Sequence, residues 1–146
     1  MRIVVDTNIV FSAIVNTNGK ISRILFQPKS RLNFYSTHLL LDELEEHKSK
    51  LQSISGFSER EIDQIINLIT RRIRFINPRL IASETFQKAE NLTQDIDIDD
   101  TEFVALAEHA KAKLWTGDKK LIQGLTQKGW NKVVSTDDLL AAITTR

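Results

Sequence analysis

The chain has 146 residues, 41% hydrophobic and 27% charged, with 20 Lys+Arg against 19 Asp+Glu for a formal net charge of +1. That length fits one domain, expected to run over 1–146, and the absence of cysteine excludes thiolate metal sites, thiol nucleophiles and disulfides. The near-zero net charge gives no argument for nucleic acid, no stretch approaches the ~20 apolar residues of a membrane span, and the immediate entry into an apolar run leaves no room for a signal peptide; a soluble cytoplasmic protein is expected.

Arg2-Ile3-Val4-Val5 runs into Asp6-Thr7-Asn8, a short β-branched segment ended by polar groups, which reads as a buried strand. Ile9, Val10, Ala13 and Ile14 then recur at helical spacing until Asn16–Gly19, and a second helical segment covers 21–27 before Pro28 closes it. Leu32–Tyr35 predicts a strand, with Ser36-Thr37 as the cap of one helix over 38–51. Ser58-Glu59-Arg60-Glu61 is a capping box, and Ile62, Ile65, Ile66, Ile69 and Ile73 follow as a helical stripe. A strand over 74–77, a helix near 84–91, a helix over 101–111 and a strand over 113–116 complete the middle of the chain. Gly117-Asp118 predicts a turn, 121–125 a short helix, 133–134 a last strand, and 138–143 a final helix after Ser135-Thr136. Alternating strands and helices predict a single-domain three-layer α/β/α sandwich with a mainly parallel sheet.

In such a sheet every strand ends on one edge, and ligands bind in the crevice outside that edge. Asp6 and Asp118 fall at strand ends, Asp97, Asp99 and Asp100 at a helix start, and Glu43 within the helix after the second strand. Carboxylates gathered in one crevice repel unless a cation sits among them. Hard divalent ions such as Mg²⁺ or Mn²⁺ match oxygen donors and supply the charge stabilisation that phosphodiester hydrolysis needs. Each acid also has a plainer role: Asp99 and Asp100 as helix-start acids, Asp118 as a turn residue, and Glu43 as part of a solvated acidic face. His38, His47 and His109 show no paired spacing, and no glycine-rich phosphate loop is present. A phosphotransferase built on a nucleophilic aspartate would need a second acid two residues on, where this chain has Asn8. The remaining alternative is a non-catalytic module that binds RNA or protein.

Val4-Val5-Asp6-Thr7-Asn8 resembles the opening of PIN-domain ribonucleases, and Thr37–Leu44, Asp97–Ala107 and Trp115–Leu121 resemble that family's later acidic motifs, in order. The resemblance implies metal-binding catalytic acids at Asp6, Glu43, Asp100 and Asp118, with Asn8, Thr116, Asp97 and Asp99 in accessory positions. Asp42 and Asp99 stand in the adjacent registers. The group most similar is the VapC-like toxins of toxin–antitoxin pairs. That likeness implies Mg²⁺- or Mn²⁺-dependent cleavage of RNA, a homodimer, and a cognate antitoxin. Lys119, Lys120, Arg71 and Arg72 are the candidate phosphate contacts.

Overall fold

Ile3, Val4 and Val5 have no exposed surface, because the strand they form lies at the centre of the sheet. The computed structural model describes residues 1–28 and 31–144. Its strands are β1 (Arg2–Val5), β2 (Asn33–Ser36), β3 (Ile73–Phe75), β4 (Lys113–Trp115) and β5 (Val133–Val134). They lie in the order β3-β2-β1-β4-β5, and every neighbouring pair is parallel. In register, Val4 faces Tyr35 of β2 and Leu114 of β4.

The order of strands assigns the helices to layers. The chain steps from β1 to β2 to β3 in one direction, then crosses back to β4 and β5 in the other. Right-handed crossovers therefore put the helices of the first two steps on one face and those of the last two on the opposite face. On the first face lie α1 (Thr7–Val15), α2 (Lys20–Leu25), α3 (Leu39–Glu46), α4 (Lys48–Ser55) and α5 (Glu59–Thr70); α6 (Ser83–Thr93), α7 (Thr101–Ala110) and α8 (Lys119–Gln127) lie on the second. The contacts agree: α1 packs on α3, α4 and α5, whereas α6 packs on α7 and α8. The last helix, α9 (Thr136–Thr144), returns to α2. Among the described residues, no helix is long and apolar enough to cross a membrane.

Local chemistry sets the boundaries. The Ser58–Glu61 capping box forms as predicted and opens α5. Ser135 and Asp138 exchange bonds in the same way before α9, Asp138 N–H donating to Ser135 Oγ at 3.0 Å. Three expectations differ. The helix predicted over 38–51 is two helices that break at His47, although the leucine spacing continues through it. Ile73 belongs to β3 rather than to the preceding helical stripe. Thr37 does not cap α3, because its hydroxyl donates to Glu102 Oε2 at 2.5 Å across the domain.

The break at His47 is braced by Lys48, whose Nζ lies 2.7 Å from Asp63 Oδ1, 2.9 Å from Glu45 Oε2 and 3.7 Å from Glu59 Oε1. One cation thereby ties α3 and α4 to α5. Lys48→Met is expected to destabilise the protein by about 1 kcal/mol, a modest figure because the three acids are solvent-exposed and screened. Urea denaturation checks this; an unchanged midpoint would show that the network contributes nothing.

Candidate active site

The carboxyl ends of the strands share one edge, and the helices that follow them begin there. Asp6 ends β1 and is the N-cap of α1: its Oδ1 accepts the Ile9 N–H at 3.0 Å. The side chain is only 2% exposed, and Oδ2 is buried without a hydrogen-bond partner. Burial is the main reason its pKa rises from 3.8 to about 6; Asp118 and Glu43 push the same way, against the Ile9 N–H and the nearby Thr116 hydroxyl. That hydroxyl does not reach hydrogen-bond geometry with Oδ2.

Asp100 directly precedes α7, whose N-terminus lies on this edge because its C-terminus leads into the start of β4. Its pKa is pushed up to about 7, first by burial and then by Asp97, Asp6, Asp118 and Glu43 in turn. Glu43 lies one turn into α3, and its Oε1 accepts the Thr7 hydroxyl at 2.5 Å. Burial raises its pKa as well; Asp99 and Glu46 add to the effect, while Thr7 and His47 oppose it. Asp118 is the N-cap of α8, its Oδ1 accepting the N–H groups of Lys120 at 3.0 Å and Leu121 at 3.2 Å. The Thr116 hydroxyl accepts the Asp118 N–H at 3.2 Å and so fixes that turn.

Asp6, Glu43, Asp97, Asp99 and Asp100 line one cleft of ≈ 210 Å³, together with Thr7, Asn8, Phe11, His47, Lys50 and Phe103. Asp118 lines an adjoining depression that shares Asn8 and Phe11 with it. Of the two neighbouring registers, Asp99 is at the cleft and Asp42 is not. Lys119 and Lys120 are exposed in the first turn of α8, beside Asp118.

Arg71 and Arg72 do not stand at this cleft. They precede β3 and therefore lie on the amino edge of the sheet, lining a separate depression there. As candidate phosphate contacts they therefore stand apart from Lys119 and Lys120, which lie beside Asp118.

The cleft also holds Thr7, Phe11, Lys50 and Phe103, none of which is a candidate from the sequence. Thr7 and Glu43 are 36 positions apart, and only the placement of α3 beside α1 brings them together. Lys50, with Nζ 5.7 Å from the centroid of the Phe11 ring, brings a cation to the acidic cleft. Thr7 alone left a trace, as the middle of Asp6-Thr7-Asn8.

The donors are carboxylate and hydroxyl oxygens, the chemistry of a hard divalent ion, and the orphaned Asp6 Oδ2 supplies an oxygen with no other use. Among the described residues, no three or more histidine or acidic side chains are placed together closely enough to hold a metal ion between them. An ion held here would keep part of its water shell, as Mg²⁺ commonly does.

A family model described as PIN domain matches residues 4–138. The chain belongs to the PIN-domain family. An uncharacterized protein of Methanocaldococcus jannaschii is 31% identical over 126 residues, which span 84% of this chain and 74% of that protein. In fold, the chain is similar to one in the crystal structure of VapBC2 from Rickettsia felis bound to a DNA fragment from their promoter. The TM-score is 0.64 at 15% identity, over 92% of this chain and 97% of the other.

Proposed function

We propose that this protein is a cytoplasmic, divalent-metal-dependent endoribonuclease, the VapC-like toxin of a toxin–antitoxin pair. The observation that carries the reading is Asp6: a carboxylate buried at the carboxyl edge of the central strand, one oxygen unpartnered, and coupled by charge to Asp118 and Glu43. Burying that group among like charges is costly for folding. A cation and an anionic substrate give the arrangement a use.

Asp6, Glu43, Asp100 and Asp118 would hold Mg²⁺ or Mn²⁺, with Asp97 and Asp99 at the rim. When bound, such an ion neutralises the acids and supplies Lewis acidity at the scissile phosphate. The chain's own residues do the rest. Thr7 fixes the Glu43 carboxylate, Thr116 fixes the Asp118 turn, and Asn8 presents a polar side chain at the mouth of the cleft. Lys119 and Lys120 sit at a helix N-terminus, where positive charge is unfavourable by roughly 0.3–1 kcal/mol; contact with RNA phosphates explains that placement better than stability does. A cognate antitoxin covering the acidic cleft, and a homodimer, complete the proposal; the VapBC2 neighbour supports the former.

The test is cleavage of a mixed set of single-stranded and structured RNAs in Mg²⁺, in Mn²⁺ and in EDTA. Cutting that needs the ion is the expected result. RNA retained without cutting in any ion would support the non-catalytic module instead.

A further inference from the structure

The net charge of +1 conceals a partition. Opposite the acidic edge, the strands begin among cations: Arg71 and Arg72 precede β3, Arg31 precedes β2, Arg2 opens β1, and Lys111 and Lys113 flank the start of β4. Arg2, Arg71, Arg72 and Arg74 line a depression of ≈ 550 Å³ with Asn33 and Tyr35.

Several cations elsewhere in the molecule are paired with acids. Lys48 is bound to three acids, Lys88 and Lys132 to Glu108, Lys20 to Asp137, and Lys128 to Asp95. Among the described residues, no carboxylate pairs with Arg31, Arg71, Arg72, Arg74, Lys111 or Lys113, and Arg2 donates only to the Ala110 carbonyl, at 2.9 Å. Neighbouring strands are spaced by about 4.8 Å, so the row from β3 to β4 extends for roughly 15 Å along the edge. A line of unpaired guanidinium and ammonium groups matches a linear polyanion. Arginine's planar fork suits phosphate in particular.

We propose that this amino edge is a second polynucleotide-binding surface, which holds the phosphate backbone of RNA on the side of the sheet opposite the carboxylates. The choice of RNA rests on the ribonuclease reading; the anion-binding surface does not. A bound chain would be held at two places, so recognition would extend beyond the nucleotides at the acidic cleft.

The experiment is fluorescence anisotropy of a labelled oligouridylate titrated with the full chain in EDTA, over a series of KCl concentrations. Arg71→Gln/Arg72→Gln/Arg74→Gln should weaken binding roughly tenfold or more and reduce the slope of log Kd against log salt by about two, at ~0.7 per phosphate on single strands. Lys111→Gln/Lys113→Gln probes the same edge independently, with a loss of about 1.4 in the slope. Circular dichroism confirms that each variant is folded. Unchanged affinity and slope in both edge variants would overturn the inference, as would wild type binding phosphatidylglycerol vesicles but not RNA. Failure of the ribonuclease reading looks different: no ion-dependent cutting, with the anisotropy response intact.

Discussion

Asp100→Asn and Asp6→Asn should each abolish ion-dependent RNA cleavage, with rates falling by a factor on the order of 10³ or more, while the proteins remain folded and become more stable. The activity loss follows from removing one charge from a site that works by holding a cation against phosphate. The gain in stability follows from the same charge. Asn remains a good N-cap, so Asp6→Asn keeps the bond from the Ile9 N–H while discarding a buried anion. Part of the gain is offset because the new amide N–H₂ finds no obvious acceptor. A net rise on the order of 5 °C in the melting temperature of ion-free protein is expected. Single-turnover cleavage and calorimetric melting on the same preparations check both halves. An inactive variant that is also less stable would point to loss of structure rather than of chemistry.

The second large effect is on pH. In the ion-free protein, Asp6 has its pKa raised from 3.8 to about 6 and Asp100 from 3.8 to about 7, so the folded state holds these protons more tightly than the unfolded chain. The stability these two acids contribute is therefore fully present below pH 4, falls as pH rises between about 4 and 7, and levels off above that. Asp6 contributes about 3 kcal/mol to the fall, at 1.36 kcal/mol per pKa unit. Asp100, only half-buried and screened by solvent, adds on the order of 1–2 kcal/mol. A divalent ion that binds only the folded state restores about 2.7 kcal/mol at a hundredfold excess over its Kd, and its effect should grow from pH 5 to pH 8 as the acids ionise. Urea midpoints from pH 4 to 8, with Mg²⁺ and with EDTA, measure both trends. A midpoint that rises steadily with pH in EDTA would contradict the shared-site account.

Much of this was legible in the chain. Ile3-Val4-Val5 announces a central strand because only a strand covered on both faces tolerates unbroken β-branched residues, and Asp6 at its end then falls on the ligand edge by topology alone. The capping box at Ser58 and the Ser135 cap were readable because both bonds are local. Long-range partners were not. Thr37 looks like a cap in sequence but donates to Glu102, 65 positions away. The helix break at His47 has no glycine or proline to signal it, and Ile73 continued the isoleucine spacing although the turn at Arg71-Arg72 had already ended α5.

The arginines carry the clearest lesson. Arg71 and Arg72 sit at the end of a crossover helix, and such a helix returns the chain to the amino edge, away from any site at the carboxyl edge. That consequence of the βαβ path could have been drawn from the predicted elements. Composition marks Arg71 and Arg72 as cations but carries no information about which edge they occupy.

The measurement that bears most directly on the central claim is calorimetric titration of the full chain with Mn²⁺, beside Asp6→Asn, Asp100→Asn and Asp42→Asn. One cation site built from the cleft acids predicts saturable binding to wild type, binding weakened at least tenfold in the first two variants, and wild-type binding in the third, whose carboxylate lies outside the cleft. Equal binding by wild type and all three variants would show that Asp6 and Asp100 do not hold the ion.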